Sequence, residues 1–257
     1  MTLARRRLAR REFVLLPAVT LTGCAVRGPA SVNAAQTATP APPVTSAASA
    51  SAMTSATSTV SATSLTSIKL PRPRTSGGVA LAKALARRRS VRTFTTKALT
   101  LAEVGQLMWA GQGVTHEGVK RAAPSPKALY PLQLYALSAS RTLRYQPVDH
   151  RVIQQKPHLP WRYLVESTPN TGVIEQAPTV FALTGTLGPV TAQVGDLGHA
   201  LVDMEAGHAA ENILLQAVAL GLGAIPLGLF TRDRLAQYLA VPSSEEVLYL
   251  IAVGHPA

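Results

Sequence analysis

The sequence predicts an α+β domain, and three observations carry the prediction. Thr100-Leu101-Ala102-Glu103 is a helix-capping box, and Leu101, Val104, Leu107, Met108 and Gly111 follow at helical spacing, so a helix ends at Gly111-Gln112-Gly113. Leu132 to Ser138 alternates in strand fashion, and Thr179 to Leu183 and Val247 to Val253 are rich in apolar and β-branched residues. His199 to Leu222 is helical in composition and apolar on most of its circumference, which calls for burial on several sides.

A chain of 257 residues holds one such domain with length to spare. Its formal charge of +12 resembles that of a nucleic-acid binder, but five of the arginines lie in the first eleven residues, and 5% aromatics is too few for a base-stacking surface. Nucleic acid is not expected as a partner.

Residues 1–24 read as an export signal. Arg5, Arg6, Arg7, Arg10 and Arg11 form a positive leader, Phe13 to Thr22 an apolar stretch, and Leu21-Thr22-Gly23-Cys24 its close. About ten helical residues rise only ~15 Å, half a bilayer core, so the stretch is a signal and not a permanent span. Arg10-Arg11-Glu12-Phe13-Val14 resembles a twin-arginine export signal, with Ala9 where a polar residue is usual, and Leu-Thr-Gly-Cys resembles a bacterial lipobox. Cys24, the only cysteine, is then the lipidated residue, and no internal disulfide remains; in a core it would be a small hydrophobe. The expected address is the bacterial cell envelope, with a lipid anchor on the outer face of the membrane. From Ala25 onward Ala, Ser, Thr and Pro dominate, so residues 25–78 read as a disordered tether of ~35 Å reach, and 79–257 as the domain.

Within the domain, Leu81 to Arg89 reads as a short helix leading into Arg87-Arg88-Arg89-Ser90-Val91-Arg92-Thr93-Phe94. Four guanidinium groups and a hydroxyl in six residues suit a phosphorylated ligand, and a solvated basic run has the same composition. The segment Arg121 to Pro131 contains Pro124, Pro126 and Pro131, so its backbone is stiff and short of donors. Arg141 to Gln176, polar and interrupted by Pro147, Pro157, Pro160 and Pro169, reads as loop-rich and lid-like. There Trp161, Arg162 and Tyr163 are either substrate contacts or residues packed under a loop. His208 and Asn212 lie one turn apart on the long helix without further ligands at metal spacing, so His208 reads as a core or interface histidine. Gly221 and Gly223 end that helix, and Pro226-Leu227-Gly228-Leu229 follows in extended form; lacking Lys-Ser/Thr, this is not a phosphate loop.

Four blocks in order carry a family resemblance: Arg88-Arg89-Ser90-x-Arg92-x-Phe94, Pro124-Ser125-x-x-Ala128-Leu129-Tyr130-Pro131, Gly207-His208-Ala209-Ala210-Glu211-Asn212-Ile213-Leu214-Leu215 and Gly221-Leu222-Gly223-Ala224-Ile225-Pro226-Leu227-Gly228. Together they resemble the nitroreductase superfamily of FMN-dependent oxidoreductases over residues 79 to 256. Ala-Leu-Tyr-Pro is most similar to the thiazole/oxazole (azoline) dehydrogenase branch. The resemblance implies a central, mostly antiparallel sheet flanked by helices, with the long helix buried at a homodimer interface. It implies FMN held at its 5′-phosphate and ribityl chain by Arg88, Ser90 and Arg92, with Arg89 near the pyrimidine edge or the phosphate. Pro124, Ser125 and Leu129, on a loop usually supplied by the partner subunit, and the backbone of Leu227, Gly228 and Leu229 would frame the ring. Hydride would pass from NADH or NADPH to a small electron-poor substrate of nitroaromatic or quinone type, with no catalytic side chain and no metal required. Export through the twin-arginine route would let the folded protein take up FMN beforehand. The alternative is a lipid-anchored flavin- or ligand-binding protein of the same fold without turnover.

Three departures bear on this. Gln193-Val194 stands where azoline dehydrogenases carry a Lys-Tyr pair, which argues against azoline oxidation. The chain stops at His255-Pro256-Ala257, without the basic residues many relatives place after the last strand, leaving more of the phosphate to the N-terminal arginines. Pro126 and Lys127 replace small residues, commonly Ala-Gly; Lys127 either adds positive charge near the flavin or points to solvent.

Overall fold

The computed structural model describes residues 65–117, 120–155 and 159–257. The expected export signal with Cys24, and the expected tether up to residue 64, lie outside the described residues. In chain order the strands are β1 (Ser67–Lys69), β2 (Val114–His116), β3 (Lys120–Arg121), β4 (Leu132–Ser138), β5 (Arg141–Gln146), β6 (Arg151–Gln154), β7 (Thr179–Thr186), β8 (Gly223–Leu227) and β9 (Glu245–Gly254). The helices are α1 (Leu81–Arg87), α2 (Leu101–Gln112), α3 (Trp161–Val165), α4 (Thr171–Gln176), α5 (Gly188–Val194), α6 (Leu197–Ala219) and α7 (Arg232–Leu239).

The main sheet runs β1-β6-β5-β4-β7-β9-β8 with every neighbouring pair antiparallel, and β2 and β3 form a separate ribbon. Alternation along the central strands sorts the core into two layers. Leu132, Leu134 and Ala136 of β4 join the cluster under α2 and α6, whereas Tyr135 and Leu137 join the one under α3, α4 and α7. Residues of β7 and β9 divide in the same way, Phe181 and Ile251 to the first, Val180 and Leu250 to the second.

The capping box of α2 forms as expected. Thr100 Oγ1 accepts from the Glu103 N–H at 3.2 Å, and the Glu103 carboxylate accepts from the Thr100 N–H at 2.7 Å. The long helix α6 buries Val202, Ala206, Ala209, Ile213 and Ala217 along one side, while Met204 and His208 on the other side are exposed.

Two expectations need correction. The tether boundary at residue 78 is too late, because Ser67–Lys69 pairs with β6, Leu70 is buried, and the Leu70 N–H donates to the His150 carbonyl at 3.1 Å. A three-residue edge strand offers too few apolar positions for a period to show. Arg141 to Gln176 is no lid, for it supplies β5, β6, α3 and α4. In β5, buried Leu143 and Tyr145 alternate with half-buried Arg144 and Gln146, and Pro147, Pro160 and Pro169 fall between elements. The arginines and prolines hide that alternation in the sequence.

Candidate functional site

The arginine segment after α1 is held by main chain on both sides. Ser90 bridges to Ala224 of β8, and the Val91 N–H donates to the Ala224 carbonyl at 3.1 Å. On the other side Phe94 bridges to Pro256, and the Thr95 N–H donates to the His255 carbonyl at 2.9 Å. Glycine makes the approach possible: a Cβ on Gly223 would lie 2.7 Å from Val91 Cγ1, and one on Gly254 would lie 2.9 Å from the Phe94 ring.

Because backbone does the holding, the side chains remain accessible. Ser90 and Arg92 are exposed, and Arg88 is half-buried with its Nε 4.0 Å from a Glu211 carboxylate oxygen. Arg89 turns back on α1, donating to the carbonyls of Ala86 at 3.1 Å and Arg88 at 2.7 Å, which satisfies groups the helix end leaves open. A cavity of about 210 Å³ is bounded by Arg88, Arg89, Val91, Leu214, Leu222 and Ala224 among others. At the end of β8 the Leu227 side chain is buried in the core, so only its backbone is available, while Gly228 and Leu229 are exposed. The Leu229 carbonyl accepts from Thr168 Oγ1 at 2.7 Å, which fixes this segment against the α3–α4 connection.

The proline loop is organised differently. It packs against α6 and makes one tight turn at Pro126–Ala128, with Lys127 (φ 49°), Ala128 (φ 56°) and Tyr130 (φ 50°) all left-handed. Lys127 is exposed and holds the left-handed backbone that glycine adopts most readily. Ser125 Oγ accepts from the Tyr130 N–H at 2.8 Å, and Tyr130 Oη accepts from the Arg121 N–H at 3.4 Å. The Arg121 guanidinium lies 4.9 Å above the Tyr130 ring and donates to Gln112 Oε1 at 2.7 Å. Pro124 is exposed, and Leu129 is half-buried against the core. Among the described residues no hydrogen bond or ion pair joins this loop to Arg88–Arg92 or to Leu227–Leu229.

Glu205 of α6, absent from the motifs, is 1% exposed. Neither of its carboxylate oxygens meets a donor at full hydrogen-bond geometry. Burial pushes the carboxyl up to about 7, against the opposing pull of the Ser125 hydroxyl and the Arg121 guanidinium. Burial likewise lowers Arg121. The signal in the sequence is a lone carboxylate on the buried stripe Val202, Glu205, Ala206, Ala209.

Other candidates fall away from the site. His208 is exposed rather than buried in the core of its own chain, because it lies on the outward side of α6. Among the described residues no three His, Cys, Asp or Glu side chains are grouped to hold a metal. Trp161 and Tyr163 pack α3 onto its neighbours, Trp161 donating to the Ile174 carbonyl at 3.3 Å and Tyr163 to Gln237 at 2.7 Å.

Residues 85–255, which take in the arginine segment, the loop, α6 and the clamping strand ends, match the nitroreductase family. The chain belongs to that family. A Methanocaldococcus jannaschii protein named for the nitroreductases is 31% identical over 182 residues, 68% of this chain and 91% of the relative. A crystal structure from Ralstonia eutropha, also named for the nitroreductases, superposes with a TM-score of 0.67 at 28% identity, covering 74% of this chain and 90% of that one. A Desulfovibrio desulfuricans member, solved in complex with FMN, has the same fold, with a TM-score of 0.51 at 23% identity over 70% and 88% of the two chains. The protein is thus an oxidoreductase of the nitroreductase family with the nitroreductase fold. In this family member, Gln193 is exposed at the end of α5 and has no ionisable group.

Proposed function

We propose that this oxidoreductase is FMN-dependent and passes hydride from NADH or NADPH to a small electron-poor acceptor of the nitroaromatic or quinone type. The observation that carries the reading is the clamped segment Ser90–Phe94, which secures the backbone and leaves Ser90 and Arg92 exposed, while Arg88 lines the neighbouring cavity. That donor set fits a phosphate ester, because forked guanidinium donors and a hydroxyl match its oxygens. Arg88 and Arg92 would grip the phosphate and Ser90 the phosphate or ribityl chain. Arg89, engaged with two carbonyls, would shape the turn instead. Glu211 beside Arg88 would orient that guanidinium. Bound FMN supplies acceptance and donation of hydride; the backbone at Leu227, Gly228 and Leu229 would border its ring, and the FMN-bound D. desulfuricans relative supports the choice.

Leu81 and Leu85 of α1 and Leu197 and Met204 of α6 are each more than half exposed, apolar surface on two helices that suits a second copy of the chain. In such a homodimer the partner would bring Pro124, Ser125 and Leu129 to the site, which one chain alone does not assemble. The basic and apolar run before Cys24 supports export to the cell envelope and a lipid anchor there. Gln193-Val194, lacking a proton-transfer group, favours reduction over azoline oxidation.

The test is the absorbance of the purified full-length protein. A flavin band that bleaches anaerobically with NADH or NADPH and returns with a nitroaromatic or a quinone supports the reading. Protein that takes up no FMN overturns it, and protein that binds FMN but is bleached by neither donor is the binding protein without turnover.

A further inference from the structure

We propose that residues 66–72 form a pH-gated strap, docked on the edge of the main sheet through the His150 ring and released when that ring takes up a proton. The contacts of the strap owe nothing to the cofactor reading.

The strap is a marginal attachment. Its strand, β1, is three residues long at the edge of the sheet, and Lys69 lies directly opposite Arg151 of β6, a like-charge pair across the strands. Of its residues only Leu70 is buried, against Gly105 of α2, where a Cβ would stand 3.4 Å from Leu70 Cβ. Besides the β1–β6 pairing, the Gln154 N–H donates to the Thr66 carbonyl at 2.9 Å and the Leu70 N–H to the His150 carbonyl at 3.1 Å. Just beyond the strap the chain is fastened a second time. The Arg74 N–H donates to Gln106 Oε1 at 2.8 Å, and Gln106 Nε2 donates to the Arg74 carbonyl at 3.1 Å, so release stops there.

The His150 ring closes the attachment. Its Nε2 lies 2.9 Å from the Pro71 carbonyl oxygen and its Nδ1 2.8 Å from Tyr145 Oη. A carbonyl only accepts, so Nε2 carries the hydrogen, and Nδ1 of the neutral ring accepts from the Tyr145 hydroxyl. A proton on Nδ1 sets two donors against each other. Tyr145 is 1% exposed and has no other hydrogen-bond partner among the described residues, so its hydroxyl hydrogen is left without an acceptor. Undocking uncovers the ring, which then protonates in water. Burial holds the docked ring below the ordinary 6.5, against the opposing pull of the Pro71 carbonyl. Docking is therefore supported in full above the ordinary value and loses that support as pH falls through the docked one.

Neighbouring charge works in the same direction. The strap brings Lys69 and Arg72, with Arg74 beyond it, β5 brings Arg141 and Arg144, and β6 brings Arg151. Against them stand Asp149 in the adjoining turn and Glu103 of α2, which is engaged with Thr100. An imidazolium is thus added to a surface already rich in cations. Release lengthens the link between the domain and the chain that precedes it.

Hydrogen–deuterium exchange of the full-length protein, corrected for intrinsic rates, tests this between pH 4.5 and pH 8. Residues 67–72 should exchange roughly ten-fold faster at pH 4.5, the scale of one buried hydrogen bond, while Arg74 and α2 keep their rates. His150→Gln keeps an N–H for Pro71 on a side chain that does not titrate, so the contrast should vanish. Tyr145→Phe removes the stranded hydroxyl, so the midpoint of the response, and of the His150 ring signal followed by nuclear magnetic resonance, should move up toward 6.5. A strap that exchanges alike across the range overturns the proposal without any variant, and so does a contrast that persists in His150→Gln or a midpoint unmoved in Tyr145→Phe. If β7 and β9 loosen in step with the strap at pH 4.5, the acid response is unfolding of the whole domain, and the proposal falls as well.

Discussion

The arginine segment and the proline loop are fixed by opposite means. Main-chain bonds to Ala224 and His255 hold the first, so its cations stay outside and the inward neighbours are glycines. Side chains hold the second: Ser125, Tyr130 and Arg121 bond or stack on one another, and Arg121 reaches Gln112, to sustain a path the backbone disfavours. A segment that must keep its charges available for a ligand is positioned through its backbone, whereas a strained loop consumes its polar side chains in its own support. Substitutions in the first region should therefore change binding and leave stability alone, and those in the second should change stability and its pH dependence.

The largest expected effect is on binding. Arg88→Ala combined with Arg92→Ala removes two charged donors, each worth about 1.5–3 kcal/mol, so FMN affinity by fluorescence titration should fall roughly 100-fold or more. The melting temperature should barely move. Unchanged affinity would break the comparison at its stronger end. The next effect is on stability, through Glu205→Gln. Its carboxyl, raised from 4.5 to about 7 in the fold, favours the native state below the unfolded value and loses that advantage as pH rises to the folded one. Wild type should therefore fall behind Glu205→Gln between about pH 4.5 and 7, and the gap should then stay constant at roughly 3 kcal/mol. Denaturant melts across that range decide it, and a gap that opens toward acid pH would reverse the argument.

How much of this was legible in the sequence follows from how local each feature is. The α2 capping box, the alternation of β4 and the apolar run of α6 are written in consecutive residues, and all three form. The arginine motif points to its segment because charge is visible in a string, but the clamp is not, since Ala224 and His255 meet it only in three dimensions. Glu205 acquires meaning only once the fold buries it, with neither carboxylate oxygen in a full hydrogen bond. The short edge strand β1 and its four-residue neighbour β6 carry too few apolar residues for a period to emerge. Replacement of a small residue by Lys127 can be seen in the sequence, whereas its φ of 49° cannot.

Two glycines sharpen the contrast further. On Gly223 a Cβ would meet Val91 Cγ1 at 2.7 Å and Cβ at 2.9 Å, a branched side chain with no flexible end to swing aside. Gly223→Ala should push the arginine segment off β8, costing about 1–3 kcal/mol and weakening FMN binding with it. On Gly228 the nearest atom would be Tyr249 Cε2 at 3.9 Å, so Gly228→Ala should leave stability within about 0.5 kcal/mol. Equal losses for both would show that backbone approach at β8 is not what positions the arginines.

The smallest effect concerns a second carboxylate whose pH behaviour is opposite to that of Glu205. Burial pushes Glu103 up, but hydrogen bonds from the Thr100 N–H and hydroxyl outweigh it, helped by the His255 and Lys97 charges, and its carboxyl sits below the usual 4.5. A lowered value stabilises the fold above the unfolded pKa, and that contribution is lost as pH falls through the folded one. Thr100→Ala removes the acceptor for the Glu103 N–H and one donor to its carboxylate, so it should cost about 1 kcal/mol at neutral pH and less in acid, as Glu103 protonates. Glu103 also lies 3.7 Å from His255, whose carbonyl clamps Thr95, so the cap reaches toward the arginine segment. FMN affinity should nevertheless be unchanged in Thr100→Ala, because the clamp uses main-chain atoms of His255 and not its ring. A drop in affinity would show that a side chain does help to hold the arginines, against the distinction drawn between the two regions.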